Sequence, residues 1–318
     1  MPTPSAPLSP SAPLARLRVP ASTSNLGPGF DLLGLAFELH LEVELFGGRP
    51  RDAGRFLALR GEAQSWPQGP ENLLLRAFDS TLREFDADPE PFAFAVHSAI
   101  PTARGLGSSG AAVVAGVELA CAVARATLGP LERLERAIRY EGHPDNVSPA
   151  LLGGCIAAVP RKGAPPLVVR CALHPELAFA VAWPASPLPT ALARSLLPAQ
   201  VAFHDARENP RRLTLLLEGL RTADPELLAA GEEDRLHVRY RLPHIPGGPA
   251  ALAAARAAGA WLATISGSGS ALVAIAPHSR AADVAQAMRS EFERAAGPAG
   301  GSGVRVAHDA PRVEWLAR

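Results

Sequence analysis

Residues 101–112 combine backbone freedom and hydroxyl groups in a way that suits phosphate chemistry. The segment contains three glycines and two serines, which are Gly105, Gly107, Gly110, Ser108 and Ser109. The glycines let the backbone come close to a ligand, and the serines add hydroxyl donors. Small and apolar residues then run from 109 to 126 without a breaker, which predicts a buried helix. Because the N-terminus of a helix attracts anions, the stretch predicts a phosphate-binding loop.

Other glycine-rich loops compete with this interpretation. The spacing also satisfies G-x-G-x-x-G, but in a dinucleotide fold the glycines follow a strand directly and an acidic residue ends the next strand. Here residues 101–104 separate the strand from the glycines, and Glu132 and Glu135 fall on a predicted helix. A Walker A loop is excluded because no lysine follows the glycines. A plain helix N-cap, with glycines that serve only packing, stays open as the alternative.

Three segments resemble, in order and spacing, the motifs of the GHMP kinases. The glycine loop is similar to the phosphate-binding motif of that superfamily, residues 19–31 to its first motif and residues 265–270 to its third. The resemblance implies an α+β fold with an N-terminal lobe like ribosomal protein S5 domain 2 and a C-terminal ferredoxin-like α/β sandwich lobe. Ser270 replaces a usual proline and Gly110 a common alanine, and both changes are compatible with loops.

Further segments are similar to signatures of the homoserine kinases within this superfamily: residues 141–149 with the following Gly153 and Gly154, residues 190–198 and residues 234–241. The resemblance implies transfer of the γ-phosphoryl group of ATP to the hydroxyl of L-homoserine, in threonine biosynthesis. It assigns the substrate carboxylate to the planar forks of Arg194 and Arg241 and the ammonium to Asp31. The other substrate contacts that it implies are Asn25, His143, Asn146 and Gly267. A GHMP kinase of another alcohol and a non-catalytic ligand-binding relative stay open as alternatives.

The resemblance also implies a nucleotide site. Its expected phosphate contacts are Pro101, Arg104, Gly105, Leu106, Gly107, Ser108, Ser109, Gly110 and Ala111. Asn72 is expected near adenine or ribose, although an asparagine that opens a helix is also a common N-cap. Ser109 and Glu141 are the expected ligands of Mg²⁺, a hard cation that suits a hydroxyl and a carboxylate.

No general base is expected at the usual place. Several superfamily members carry an aspartate there, seven residues before Gly153, and this chain has Asn146. An amide cannot accept a proton at neutral pH. Homoserine kinases share the feature, so the resemblance implies catalysis by positioning and charge neutralisation, with Asn146, Glu141 and Ser109 as catalytic residues. The adjacent Asp145 is the less favoured candidate for a base.

The bulk composition restricts the class of protein. With 318 residues, 47% hydrophobic and 19% charged, the chain predicts a globular protein of two lobes, and no apolar run approaches the length of a membrane span. A net charge of zero without a long basic run does not favour nucleic-acid binding. Cys121, Cys155 and Cys171 lack CxxC spacing, so they are interpreted as core residues of a cytoplasmic protein. The family resemblance suggests a homodimer.

Hydrophobic periodicity places these residues on elements. Strands are predicted at residues 14–22, 35–46, 56–61, 91–100, 153–160, 166–171 and 177–183. Helices are predicted from about Asn72, at 109–126 and 131–140, between 190 and 231 and at 249–258, followed by strand, helix and strand, whereas residues 141–149 are interpreted as a polar loop. The expected organisation is a mobile tail at 1–13, an ATP-binding domain at 14–172 and a second domain at 173–318.

Overall fold

The computed structural model describes residues 12–50 and 53–316. Apart from residues 12 and 13, the tail predicted at 1–13 lies outside the described residues. The strands are β1 (Ala15–Ser24), β2 (Leu33–Phe46), β3 (Phe56–Gly61), β4 (Ala93–Ser98), β5 (Cys155–Arg161), β6 (Ala164–Cys171), β7 (Leu177–Pro184), β8 (Leu262–Ile265), β9 (Leu272–Pro277), β10 (Ala299–Val304) and β11 (Glu314–Trp315). The seven strands predicted up to residue 183 are confirmed, with ends that differ by at most two residues. After residue 258 one strand was predicted on each side of a helix, whereas the structure has β8 and β9 before that helix and β10 and β11 after it.

The helices are α1 (Leu73–Arg83), α2 (Ser108–Val123), α3 (Pro130–Glu141), α4 (Pro144–Leu152), α5 (Thr190–Ser195), α6 (Phe203–Thr222), α7 (Pro225–Gly231), α8 (Val238–Arg241), α9 (Gly248–Ala257) and α10 (Ala281–Ala296). Short 3₁₀ turns lie at Glu62–Ser65 and Leu242–His244. The helix α2 is apolar on all sides and is almost wholly buried, as its sequence predicts. No helix among the described residues has the length and apolar character needed to cross a bilayer.

Two sheets divide the strands. The first has the order β11-β1-β2-β4-β3, and the antiparallel pair β5 and β6 extends from β2. The second has the order β10-β7-β9-β8. The long hairpin of β1 and β2 begins at Ala15, opposite Leu45, and ends at Ser24, opposite Gly34. This hairpin brings residues 19–31 next to the helices that carry the other motifs.

The polar loop predicted at residues 141–149 is wrong, because most of it forms α4. Pro144 occupies the first turn, where a missing N–H costs nothing and the fixed φ of proline suits a helix. The helix ends at Gly153, whose φ is 72°. It passes so close to β2 that a Cβ on Gly34 would lie 1.8 Å from the carbonyl oxygen of Asp145. This packing fixes Asp145 and Asn146 against the sheet instead of leaving them on a mobile segment.

The two sheets share one interior. Phe37 on β2 and Phe179 on β7 pack with ring centroids 5.6 Å apart, within a core that draws on both sheets. A second core fills the space between the second sheet and the helices α9 and α10. The chain finally returns to the first sheet, where Trp315 pairs with Ala15. The domain boundary near residue 173 stays a prediction.

Candidate active site

The glycine loop runs tightly between two other motifs. Gly107 is the N-cap of α2, with a φ of 72° in the left-handed region, and Gly105 has a φ of 79°. A Cβ on Gly107 would lie 2.1 Å from the hydroxyl of Ser22, and one on Gly105 would lie 2.1 Å from the carbonyl oxygen of Ser266. Both positions therefore require glycine for its conformation and for the close approach. The first turn of α2 then opens onto a cleft with its free amides.

This cleft of about 380 Å³ collects residues from both lobes. Eleven of the residues predicted for the site line it: Asn25, Asn72, Gly105, Gly107, Ser108, Ser109, Glu141, His143, Asn146, Arg194 and Arg241. They come from the hairpin loop after β1, from the ends of α1 to α5, and from α8. The fold thus gathers in one cavity residues that lie more than 200 positions apart in the sequence.

A buried carboxylate and a hydroxyl meet beside the glycine loop. Ser109 donates a hydrogen bond of 2.6 Å to Oε1 of Glu141, whose side chain is 7% exposed. Burial raises the pKa of Glu141, while the Ser109 hydroxyl and the nearby His143 act in the opposite direction. A carboxylate desolvated in this way favours a cation. Because no cluster of three metal-binding side chains occurs among the described residues, a cation here would need phosphate or water oxygens as further ligands.

His143 lies between two carboxylates. Its Nδ1 contacts Oδ1 of Asp145 closely, and its Nε2 lies 3.9 Å from Oε1 of Glu141. Burial lowers the pKa of His143, but the hydrogen bond and charge of Asp145 together with Glu141 outweigh it and raise the pKa above its usual value. Asp145 is itself buried, and its Oδ2 has no hydrogen-bond partner within the described ranges. The Asp145 carboxylate therefore contacts the imidazole of His143 through Oδ1.

Asn146 is held from both sides by serines of β1. Ser22 donates a hydrogen bond of 3.0 Å to Oδ1 of Asn146, and the amide nitrogen of Asn146 donates one of 3.1 Å to the hydroxyl of Ser24. The two bonds fix the orientation of the amide. The sequence did not single out Ser22 or Ser24, because they lie 124 and 122 positions away from Asn146.

A carboxylate is paired with an arginine that lines the cleft. Arg194 on α5 donates to both oxygens of Asp31, with Nη2 to Oδ1 at 3.1 Å and Nη1 to Oδ2 at 3.4 Å. Asn25 accepts a hydrogen bond of 2.8 Å from the backbone amide of Asp31, and both residues have positive φ. The local turn thus presents the Asp31 carboxylate, which does not itself line the cavity, to the Arg194 guanidinium that does.

Arg241 is a buried arginine whose guanidinium is only partly occupied. Its side chain is 1% exposed, and its Nε and Nη1 donate to the carbonyl oxygens of Ala193 at 3.2 Å and Gly267 at 3.3 Å. Nδ1 of His237 lies 3.4 Å from Nη1, and the ring of Phe30 lies 5.2 Å from the guanidinium carbon. Burial, followed by the charge of Arg194, lowers the pKa of Arg241. Its Nη2 has no hydrogen-bond partner within the described residues, so it is available to an anion in the cleft.

Some predicted residues lie elsewhere. Pro101, Leu106, Gly110, Ala111 and Gly267 do not line the cleft, and Leu106 and Ala111 belong to the core. Arg104, which is also predicted to contact phosphate, does not line the cleft either. Its guanidinium donates to the carbonyl oxygens of Thr102, Pro184 and Ala185, so it ties the glycine loop to the second lobe. The carbonyl oxygen of Gly267 is likewise occupied by Arg241.

Asn72 acts as the N-cap of α1. Its Oδ1 accepts from the amides of Leu74 and Leu75, and its amide donates to the carbonyl oxygen of Pro67. The residue therefore holds the loop that brings Trp66 and Pro67 to the cleft. The sequence analysis missed Trp66, Thr102, Thr190 and Ser268, which also line the cavity. Nothing in their spacing distinguishes them from ordinary loop residues.

The family models and known proteins agree with this geometry. The GHMP kinases N terminal domain matches residues 72–154, and the GHMP kinases C terminal domain matches residues 216–294. The chain is 43% identical over 279 residues to a homoserine kinase from Synechococcus sp. (strain RCC307), covering 87% of this chain and 88% of the relative. It is 40% identical to a homoserine kinase from Moorella thermoacetica, covering 87% of this chain and 92% of the relative.

A solved structure shows the same architecture. The crystal structure of homoserine kinase from Cytophaga hutchinsonii superposes with a TM-score of 0.83 and 27% identity, over 97% of this chain and 100% of that one. This likeness and the two matching domains confirm the two-lobed α+β fold predicted from the motifs. The chain therefore belongs to the GHMP kinases, and within them to the homoserine kinase family.

Proposed function

We propose that the chain is an ATP-dependent homoserine kinase, which transfers the γ-phosphoryl group of ATP to the side-chain hydroxyl of L-homoserine and releases O-phospho-L-homoserine and ADP. One observation carries the proposal. A single cleft is lined by the glycine loop and the Ser109–Glu141 pair, and also by Arg241 and by Arg194, which pairs with Asp31. The first group of residues suits a nucleoside triphosphate with its metal. The second group suits an amino acid zwitterion.

In the first group, the amides at the start of α2 and the hydroxyl of Ser108 would bind the phosphates. Ser109 and Glu141 would hold Mg²⁺, because a hydroxyl and a desolvated carboxylate suit a hard cation that keeps several oxygen ligands from water and phosphate. When bound, the metal would neutralise charge on the phosphate oxygens. The indole of Trp66 and the turn capped by Asn72 offer an apolar wall for the base of the nucleotide.

In the second group, the substrate carboxylate would take hydrogen bonds from Nη2 of Arg241 and from Arg194. Asp31, released from part of its pairing with Arg194, would accept from the ammonium group. The Asp31–Arg194 pair thus carries one negative and one positive charge, and an amino acid carries the same two charges on its carboxylate and ammonium groups. The substrate groups can therefore replace the two partners in each other's contacts. A neutral polyol offers neither charge, which favours homoserine over a sugar or a simple alcohol.

Asn146 would orient the hydroxyl that attacks the γ-phosphorus. An amide held by Ser22 and Ser24 can position a hydroxyl but cannot take its proton. Phosphoryl transfer passes through a loose transition state, in which alignment and charge neutralisation supply most of the acceleration. His143, whose pKa Asp145 and Glu141 raise despite its burial, would make a polar contact near this hydroxyl. We further propose that the enzyme acts as a cytoplasmic homodimer, in keeping with its family.

The proposal is tested by ADP release with a panel of acceptors at saturating ATP and Mg²⁺. Homoserine is expected to support turnover well above serine, threonine, mevalonate and galactose. Two analogues sharpen the test: 4-hydroxybutyrate lacks the ammonium group, and 2-aminobutyrate lacks the hydroxyl. The first should be a poor substrate, and the second should inhibit competitively with homoserine. Preferred turnover of mevalonate or a sugar would refute the substrate assignment, and no turnover with any acceptor would refute the kinase activity.

A further inference from the structure

The hairpin of β5 and β6 places two cysteines directly opposite each other. Cys155 and Cys171 are partners in the antiparallel register, which places their side chains on the same face of the hairpin. Both are free thiols, as is the third cysteine, Cys121, which lies buried on α2. Neither Cys155 nor Cys171 lines the cleft described above.

The strand geometry suits a bond between the two sulfur atoms. The carbonyl oxygen of Gly154 accepts from Ala36, and the amide of Ala158 donates to Leu32, so these two residues face the β2 side. Backbone groups alternate in direction along a strand, so the backbone of Cys155 faces β6. Opposite residues in such a hydrogen-bonded pair have Cα atoms about 5.5 Å apart. Disulfides span Cα separations of about 4.4–6.8 Å. No change of register is needed to join Cys155 to Cys171.

The two thiols differ in the way that a two-step exchange requires. Cys155 is 2% exposed, whereas Cys171 is partly exposed at the end of the edge strand β6. The adjacent Cys155 thiol lowers the pKa of Cys171 to about 7, against the effect of burial and with help from the backbone at Ala157. The same contact, together with burial, raises the pKa of Cys155. Cys171 is thus the accessible nucleophile and Cys155 the resolving thiol.

We propose that Cys155 and Cys171 form a reversible intramolecular disulfide by exchange with a low-molecular-weight disulfide such as glutathione disulfide. In the first step the Cys171 thiolate attacks one sulfur of glutathione disulfide, which leaves a mixed disulfide on Cys171 and releases one glutathione thiolate. In the second step Cys155 loses its proton and attacks the Cys171 sulfur, which expels the second glutathione thiolate. Two protein thiols are oxidised to one disulfide, and glutathione disulfide is reduced to two glutathione molecules that take up the two protons.

The bond should also be easy to reduce. Directly opposite residues have Cβ atoms about 4.5–5.5 Å apart. A relaxed disulfide holds its Cβ atoms about 3.5–4.5 Å apart. The two strands must therefore draw together slightly when the bond forms, and a disulfide held under such tension is more readily reduced than a relaxed one.

The test is a thiol map of the full-length enzyme after incubation with excess glutathione disulfide at neutral pH. Acid stops the exchange, and free thiols are alkylated under denaturing conditions before peptide mass spectrometry. The parent protein is expected to lose two of its three thiols, to yield a linked Cys155–Cys171 peptide without glutathione, and to recover all three thiols with dithiothreitol. The Cys121→Ser variant is the matched control and should give the same linked peptide.

Single variants separate the two steps. Cys155→Ser should stop at a glutathione adduct on Cys171, and Cys171→Ser should take up neither glutathione nor a cross-link. Thermal unfolding confirms that each variant is folded. The thiol map of the parent protein tests the disulfide without any variant. A parent protein that keeps all its thiols, that retains glutathione on Cys171, or that links through Cys121 overturns the proposal.

Discussion

Replacing Arg241 with alanine should damage homoserine use far more than ATP use. Nη2 of Arg241 is free to bind the substrate carboxylate, and the side chain is 1% exposed, so water cannot replace the lost contact. Removal of a charged partner from a desolvated site costs about 2–5 kcal/mol. At about 1.4 kcal/mol per tenfold change, kcat/KM for homoserine should fall roughly 30- to 4,000-fold. The same change at Arg194, which is 41% exposed, should lie near the low end of that range because solvent screens its charge.

The assay is ADP release with homoserine varied at saturating ATP, and with ATP varied at saturating homoserine. Arg241→Lys keeps the charge and loses the planar fork, so it should recover only part of the loss. Arg239→Ala is the matched control on the same helix, since Arg239 is partly exposed, pairs with Asp205 and does not line the cleft. Thermal unfolding shows how much the lost bonds to Ala193 and Gly267 destabilise the fold. Unchanged homoserine kinetics in Arg241→Ala, or an equal loss of ATP affinity, would refute the reasoning.

Three further predictions concern the residues around the reacting atoms. Glu141→Gln should depress kcat even at saturating Mg²⁺ while thermal stability changes little, because the amide keeps the shape and loses the charge; a normal kcat with normal Mg²⁺ dependence would remove Glu141 from the metal site. Asp145→Asn should retain much of the turnover, whereas loss of a general base would remove a factor of about 10²–10⁴. Asn146→Ala should be more damaging, and the reverse order would place the proton acceptor at Asp145. His237→Asn keeps an acceptor near Arg241, whereas His237→Gln keeps only the donor to the Gly27 carbonyl. The KM of His237→Asn for homoserine should therefore stay closer to the parent value than the KM of His237→Gln. Equal KM values would show that His237 does not position Arg241.

The sequence predicted the glycine loop well because its constraint is local. Gly105 and Gly107 need left-handed backbone angles, and a helix must follow, so the pattern is visible within a dozen residues. The strands were also predicted well, since alternating burial along β2 appears directly as alternating residue types. These parts of the fold are determined by neighbours in the chain.

The helix α4 and the role of Arg104 could not be predicted in the same way. The helix α4 begins with polar residues and contains two prolines, and it is helical because it packs on β1 and on β2 at Gly34. Arg104 lies within the glycine loop, and its guanidinium donates to the carbonyl oxygens of Pro184 and Ala185, eighty and eighty-one positions away. The pairing of Cys155 with Cys171 likewise depends on a strand register. In each case the deciding contact is made by residues distant in sequence.

The three motifs are also hydrogen-bonded to one another, which bears on the proposal that the reaction proceeds without a general base. Ser266 donates a hydrogen bond of 2.7 Å to the carbonyl oxygen of Gly105 and lies 2.8 Å from the hydroxyl of Thr23. The amide of Gly267 bonds to the carbonyl oxygen of Ser24 at 2.9 Å. The glycine loop, the first motif and the third motif are therefore fixed relative to one another before any ligand binds. Misplacement of the reacting groups by about 1 Å can cost about 10²-fold in rate. Catalysis without a general base would therefore require a preset alignment of this kind.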